Sequence, residues 1–463
     1  MNAFGDWLWP VLLYGCGALA AVDALWHGRT AQGTIAWVMG LLLMPQAALP
    51  LYVFFGSRRF HGYLRARRHG DHKLSFIAGQ LQESLQPVSQ PPDDVTTPLY
   101  NLFRLPLVRG NQCRLLTDGQ QTYNAMFRRI EAAKSYLCVQ FYILREDRIG
   151  LELASRLITS ASGGVAVYLL YDEIGSHRLS RHFLQRLSDG GVHVSHFNSL
   201  RLRNRTRLNF RNHRKLLICD GEYTHVGGYN IGEEYISHAD YHWRDTHVEI
   251  KGPATLGFQL AFAEDWYWAT RSLPRVSWQQ PALSGPSGVM CIPTGPADET
   301  ESASLFFSHL IHRAKRRCWL VSPYFVPDQN LLGALQLAGL RGLDIRILIP
   351  QKSDNWLIQQ AMRSYIGPLS RCNVRFFTYQ GGMLHQKVLL IDDQWSCIGS
   401  ANLDNRSLRI NFEISALIQD RQFAAGVEQM LLADFANAGD AIISEHWWPV
   451  FLARTSRLLA PLL

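Results

Sequence analysis

Two apolar runs open the chain. Residues 7–25 are interrupted only by Asp23, and residues 34–55 form a longer run that carries Pro45, Gln46 and Pro50. A helix needs ~20 apolar residues to span a bilayer core, so the pattern predicts two transmembrane segments. The link His27-Gly28-Arg29-Thr30 leaves room only for a tight hairpin. Arg58, Arg59, Arg65, Arg67 and Arg68 follow the second run, against a lone Arg29 in the link. That bias puts the N-terminus and everything after residue 56 on the cytoplasmic side. A cleaved signal peptide fits less well, because no basic segment precedes the first run and a second apolar run follows it.

Residues 83–98 (ESLQPVSQPPDDVTTP) read as a linker, with globular text beginning near Leu107. From there helical and strand-like patterns alternate twice in the same order. The first series is 127–134, 136–142, 151–160 and 164–172; the second is 305–315, 318–324, 331–340, 343–350 and 374–377. Even the entry phrases match, Glu131-Ala132-Ala133-Lys134 against His312-Arg313-Ala314-Lys315. Strands apolar on both faces between helices predict an α/β fold of two lobes related by a pseudo-twofold axis, each a mostly parallel sheet flanked by helices. The expected units are 1–60 (two transmembrane segments), 61–106 (basic segment and linker), 107–272 (first lobe), 273–290 (inter-lobe linker) and 291–463 (second lobe and tail). The tail mixes Trp447, Trp448, Arg454 and Arg457 with leucines, and reads equally as a membrane-surface segment or a docking helix.

Each series ends on the same phrase. His213-Arg214-Lys215 with Asp220, and His385-Gln386-Lys387 with Asp392, both fit H-x-K-x4-D across a mostly apolar run. Each is followed by a small-residue turn and an Asn: Gly227-Gly228-Tyr229-Asn230, then Gly399-Ser400-Ala401-Asn402. In an extended strand alternate side chains share a face, so His and Lys of each copy point one way and the residue between them points the other. Two copies facing each other supply two imidazoles and two fixed positive charges. That set suits a phosphodiester: one His attacks phosphorus, the other protonates the leaving oxygen, and Lys215 and Lys387 hold the non-bridging oxygens. A lysine in an apolar strand is costly unless it faces an anion. Asp220 and Asp392 complete the motif set and are expected to hold the local loop.

Composition narrows the partner. Apolar residues make up 47% and charged ones 18%, and the net charge is +8, which favours an acidic ligand, nucleic acid or anionic lipid. Eight cysteines without a C-x-x-C pair argue for reduced, buried thiols and against a zinc site. His61, His72, His193 and His238 have no such duplicated context and read as ordinary surface or core histidines. The run Arg201, Arg203, Arg205, Arg207, Arg211 and Arg214 is a solvated face or, beside the motif, a headgroup-attracting patch.

The duplicated motif resembles the phospholipase D superfamily, and the flanking text is similar to bacterial cardiolipin synthases with an N-terminal membrane hairpin. The matching phrases include Trp243-Arg244-Asp245-Thr246-His247, Ser322-Pro323-Tyr324-Phe325-Val326-Pro327-Asp328, and Asp404 with Arg406 and Ser407. The resemblance implies a metal-independent phosphatidyltransferase without cofactor, acting on phosphatidylglycerol, with no nucleic-acid partner. His213 would attack and His385 act as acid, then base. In that superfamily a Glu in the strand after the motif supports the motif His, which carries that role to Glu249 and Glu413, with Asn230 and Asn402 as further supports. Arg211, Arg214 and Ser400 are the candidates for substrate contact. The rivals are a hydrolytic phospholipase D, a transferase using another donor such as phosphatidylethanolamine, and, distantly, a nuclease.

Overall fold

A computed structural model describes residues 3–28, 31–56, 72–91, 93–197, 209–236, 243–441 and 446–458. The arginines at 58, 59, 65, 67, 68, 201, 203, 205 and 207, the histidines at 61 and 238, and residues 459–463 of the tail lie outside them.

The first apolar run forms one helix, Ala3–His27, and its part Leu8–His27 (20 residues, mean hydropathy 1.6) is long and apolar enough to cross a membrane. The second run differs from the single segment its hydropathy suggests. It is two helices, Ala31–Leu43 and Pro45–Phe55, broken at Met44. Pro45 has no N–H to offer and forces the residue before it out of the helical region, hence the break. At 1.5 Å per residue the two pieces reach roughly 20 and 17 Å, each short of a ~30 Å core. All three helices pack together, closely enough at Gly17 that a Cβ there would lie 2.4 Å from the Leu41 carbonyl oxygen. Asp23, the acid in the first run, accepts from Tyr52 Oη at 2.7 Å.

Residues 72–106 are more ordered than their polar text predicts. The helices His72–Leu85 and Thr96–Phe103 lie on the lobes, burying Leu81 and Leu85 in one core and Leu99 and Phe103 in another.

The first lobe is built from β1 (Val108–Leu116), β2 (Tyr136–Phe141), β3 (Ala166–Asp172), β4 (His193–Phe197), β5 (Leu216–Cys219), β6 (Tyr223–Gly227), β7 (Trp243–Arg244) and β8 (His247–Lys251). The second contributes β9 (Ser287–Thr294), β10 (Arg317–Val321), β11 (Phe325–Val326), β12 (Asp344–Pro350), β13 (Val374–Tyr379), β14 (Met383–Leu384), β15 (Val388–Ile391), β16 (Trp395–Gly399), β17 (Leu403–Asp404), β18 (Glu413–Gln419) and β19 (Ala438–Asp440). Fifteen of these form one continuous sheet, ordered β19-β13-β12-β10-β15-β16-β18-β9-β1-β8-β6-β5-β2-β3-β4. The order mirrors itself about the β9–β1 junction, apart from the extra edge strand β19, which is the pseudo-twofold relation of the two halves.

The sheet is mixed, not mostly parallel. Only β2-β3-β4 and β10-β12-β13 run parallel; the central ladders, including both motif strands β5 and β15, are antiparallel. Tight hairpins after each motif Asp set this direction, since a short turn can only return the chain antiparallel. The expected inter-lobe linker is shorter than 273–290, because β9 begins at Ser287 and joins the two sheets edge to edge through β1 and β18.

Candidate active site between the lobes

The alternation read from H-x-K sets the site. Arg214 and Gln386, the middle residues, turn away from His and Lys and are held by a helix aspartate in each half. Arg214 Nη1 donates to Asp265 Oδ2 at 2.9 Å, and Gln386 Nε2 to Asp434 Oδ2 at 3.2 Å. Asp265 also receives Gln140 and Asn212 at 2.7 Å each, while Asp434 takes Arg244 through two bonds of 2.7 and 2.8 Å. Arg214 further donates to the carbonyls of Glu413 and Ala261. It is buried and committed to the scaffold, so its assignment to substrate contact is corrected: it anchors the motif strand.

Two short parallel ladders then lock the lobes across the motif entrances. Asn212 bridges to Phe412, with the His213 N–H donating to the Phe412 carbonyl at 2.9 Å. In the other half β14 pairs with β7, with the His385 N–H donating to the Arg244 carbonyl at 2.8 Å. Arg244 and Phe412 therefore occupy equivalent places, and each is followed by the carboxylate that matters.

His213 Nδ1 donates to Glu413 Oε2 at 2.9 Å, with the Ser400 carbonyl 3.2 Å away as a second acceptor. His385 Nδ1 lies 2.6 Å from Asp245 Oδ2. Each imidazole is thus held by an acid from the opposite lobe. The expectation for Glu249 is overturned. Its carboxylate takes Arg129 Nε at 3.0 Å and lies 3.2 Å from His225 Nε2, on the flank of the first lobe. Strand register explains the error. Gly399 pairs with Ser415 and Gly227 with His247, so the counterpart of Glu413 is Asp245, four residues before Glu249. The signal was present as the acid in Trp243-Arg244-Asp245-Thr246-His247, and insisting on Glu hid it.

The turn residues complete the logic. Ser400 Oγ donates to Glu413 Oε2 at 2.6 Å and accepts from the Ile414 N–H, so it positions the acid and is spoken for as a substrate contact. Its counterpart is Gly228, where a Cβ would sit 2.0 Å from Asp245 Oδ1. One half holds its carboxylate with a hydroxyl, and the other makes room for it by having no side chain. Asn230 Oδ1 accepts from the Ile143 N–H at 3.1 Å and its Nδ2 donates to Tyr235 Oη, tying the turn to the end of β2. Asn402 is buried beside Asp404.

Asp220 and Asp392 stand apart from this cluster. Asp220 accepts from the N–H groups of Lys134, Ser135 and Tyr136 at 2.8 Å each. Asp392 does the same for Lys315, Arg316 and Arg317. Both adopt left-handed backbone, φ 53° and 49°. They hold the local loop as expected, capping the matched entry phrases of β2 and β10, and although they belong to the motif set they stand outside the reacting groups.

The lysines are buried with the histidines. Lys215 Nζ donates to the His213 carbonyl at 2.7 Å, and Lys387 Nζ donates to the His385 carbonyl and lies 3.0 Å from His385 Nδ1. Burial pushes Lys215 down to about 7 and Lys387 to about 8. Burial, with Lys387 next, pushes His385 down to about 4, and burial likewise holds His213 below its ordinary value. For Glu413 and Asp245 burial works against the charge, but His213 and Lys215 around the first, and Lys387 and His385 around the second, outweigh it and hold both carboxyls below the usual range. Ionised acids on Nδ1 fix both rings as the Nδ1–H tautomer, leaving the lone pair on Nε2. Tyr142 lies edge-on to His213 (centroids 4.8 Å) and Trp243 is tilted against His385 (5.1 Å). Arg211 is partly exposed beside Tyr142, Asp172 and Arg406. Among the described residues no His, Cys, Asp and Glu group could hold a metal ion.

Comparison with known proteins places the whole chain among relatives of one family. The family model described as cardiolipin synthase, PLD-like domain, matches residues 107–266 and 307–435. Cardiolipin synthase A of Pseudomonas entomophila (strain L48) is 43% identical over 468 residues, covering 98% of this chain and 97% of that protein. Cardiolipin synthase A of Pseudomonas aeruginosa (strain LESB58) is 43% identical over 433 residues, covering 91% and 88%. Among solved structures, phosphatidylserine synthase of Haemophilus influenzae Rd KW20 superposes with a TM-score of 0.64 at 14% identity, over 80% of this chain and 100% of that one. Polyphosphate kinase of Porphyromonas gingivalis gives 0.51 at 15%, over 78% and 51%. At such identities the two structures speak for the fold alone.

Proposed function

From its place in the cardiolipin synthase family of phospholipase D-like proteins, to which the chain belongs, we propose that it transfers a phosphatidyl group from one phosphatidylglycerol to another, giving cardiolipin and glycerol. The observation that carries this reading is the pair of buried histidines, each oriented through Nδ1 by a carboxylate of the other lobe.

His213 Nε2 attacks phosphorus, and the bond to the glycerol oxygen breaks. The bound phosphodiester anion offsets the burial and the Lys387 charge that keep His385 neutral, so His385 takes up a proton at Nε2 on substrate binding and gives it to that oxygen as it leaves. A hydroxyl of the second phosphatidylglycerol then gives its proton to His385 and attacks the phosphatidyl-histidine, releasing His213. The assignment of attack to His213 rests on its Nδ1–H, which has two acceptors, Glu413 and Ser400, and so the firmer hold. Lys215 and Lys387 take the non-bridging oxygens. A phosphodiester anion between them restores the charge that burial withholds, so the site is built to be completed by its substrate. General acid–base help of this type contributes ~10²–10⁴-fold, and the covalent intermediate splits one displacement into two. Exchange of one phosphodiester for another is nearly isoergic and requires no nucleotide. Water at ~55 M competes with the acceptor, and an oriented hydroxyl at an effective ~10⁵ M prevails.

The helix Leu8–His27 supports attachment to a membrane. The arginine bias after residue 56 supports a bacterial cytoplasmic membrane with the lobes on the cytoplasmic side. Arg211 is the remaining candidate for headgroup contact.

The deciding experiment is the product analysis of purified protein in phosphatidylglycerol vesicles, with His213→Ala and His385→Ala as controls. Cardiolipin with an equivalent of glycerol, absent in both variants, is expected. Phosphatidic acid instead means a hydrolase, and cardiolipin formed only on adding phosphatidylethanolamine means a mixed donor.

A further inference from the structure

The C-terminal helix Trp447–Leu458 packs inside out. It lies against the helix Trp356–Ser370 of the second lobe, with the Arg457 guanidinium 4.7 Å from the Tyr365 ring centroid. The residues it buries there are small, Ala453 and Ser456. Val450 and Leu452 are half-buried, but its aromatic residues and last leucine face outward: Trp447 is 73% exposed, Trp448 56%, Phe451 52% and Leu458 79%. Residues 447, 451, 454 and 458 share one face of a helix, so Trp447, Phe451, Arg454 and Leu458 form a single stripe with Trp448 beside it. The three rings touch, with centroids 5.2 Å apart for Trp447–Trp448 and 5.8 Å for the stacked Trp448–Phe451. An ordinary surface helix does the reverse, burying its large side chains and exposing its small and polar ones. Isolated exposed leucines need no partner, whereas a contiguous aromatic stripe does.

We propose that this helix is a second membrane contact, lying in the headgroup region of an anionic bilayer and holding the second lobe against it. Two features select a bilayer over a second copy of the chain. Tryptophan and phenylalanine with arginine are the residues that settle at the water–hydrocarbon boundary, where a ring is wet at one edge and apolar at the other. Residues 446–458 carry no acid, and while Arg457 packs on Tyr365, Arg454 stands exposed inside the stripe itself, so the outward face presents positive charge to anionic headgroups. A dimer face of like charge would repel its copy. The inference rests on the phospholipid reading only for the choice of lipid. The contact would fix the orientation of the second lobe at the bilayer, at the far end of the chain from the apolar helix Leu8–His27.

The test uses the full chain in phosphatidylglycerol vesicles containing brominated acyl chains, which quench tryptophans at the boundary. W447F/W448F is expected to lose a measurable share of the wild-type quenching. F451E, a change at an exposed position, is expected to lower cardiolipin formation in vesicles by about tenfold, the loss of roughly one buried aromatic contact, and to leave it unchanged in mixed detergent micelles. Equal quenching in W447F/W448F and wild type overturns the proposal. So does a shift of F451E from dimer to monomer with bilayer contact intact. If the wild type forms no cardiolipin, the catalytic reading fails, yet the quenching difference still decides the membrane contact.

Discussion

His213 ends its Nδ1–H on Glu413, a residue 200 positions away in the other lobe, at 2.9 Å. His385 returns the relation through Asp245, 140 positions back, at 2.6 Å. Neither motif histidine takes its carboxylate from its own lobe. The two motifs are one site because each imidazole is oriented, and fixed in its tautomer, by the partner half.

Asp245 and Glu249 lie four residues apart on one extended stretch, Glu249 within β8 and Asp245 just before it, and have opposite expected phenotypes. Asp245→Asn leaves His385 without its orienting anion and is expected to lower kcat by ~10²–10⁴-fold, as removal of a carboxylate behind a catalytic imidazole does. Glu249→Gln breaks the contacts to Arg129 and His225 and is expected to cost about 1–3 kcal/mol of stability with turnover per folded molecule retained. Steady-state assays beside denaturant melts separate the two.

Gly228→Ala would place a methyl 2.0 Å from Asp245 Oδ1 by the native geometry. The carboxylate has to move off His385, so activity is expected to fall about as far as in Asp245→Asn. The pseudo-symmetric change Ser400→Ala removes one hydrogen bond to Glu413 and leaves the space open, so a loss of roughly tenfold is expected. Comparing kcat of the two variants checks the asymmetry.

The buried lysines set a pH dependence. Lys215 is near 7 in the folded chain against ~10.4 unfolded, so between these values the unfolded chain binds more protons and stability rises with pH. Lys215→Met is expected to flatten that rise, to increase stability at pH 7 by about 1 kcal/mol or more, and to abolish turnover. Thermal melts from pH 7 to 10 measure it. Binding of an oxyanion such as tungstate to the wild type is expected to weaken above pH 8 and to take up protons, read as buffer-dependent heats in calorimetry.

Asp220→Ala and Asp392→Ala each free three backbone N–H groups at the start of a central strand. About 1–3 kcal/mol of stability should go in each case, with the rate of the folded fraction kept. Asn accepts left-handed backbone and retains one acceptor, so Asp220→Asn should recover much of the loss.

A rapid quench of wild type in alkaline denaturant, which the P–N bond survives where acid cleaves it, with phosphatidylglycerol labelled at phosphorus is expected to leave label on the peptide containing His213. Label on His385 instead would reverse the roles of nucleophile and acid. His213→Ala should carry none.

What the sequence by itself determined is whatever depends on local order. The alternation of H-x-K put His and Lys on one face and sent Arg214 and Gln386 to the other, because strand geometry has a period of two wherever the strand lies. The duplication announced two halves, and hydropathy announced the first helix, which is long and apolar enough to cross a membrane. The break at Met44 is local too, since Pro45 forces it where hydropathy alone runs on; the pairing of strands across the sheet and the partners of the histidines were of another kind. Asp245 and Glu249 are both acids in the same short stretch, and no local rule separates them. Their fates were decided by register, since of the two acids only Asp245, just before the Thr246–Gly228 contact, reaches across the lobe boundary to a motif histidine. The outward tryptophans of the last helix were likewise ambiguous in one dimension. Only packing against the helix Trp356–Ser370 decides which face is spent on the protein and which is left for something else. Tertiary structure alone chooses among chemically similar side chains, because burial and pairing depend on what arrives from elsewhere in the chain.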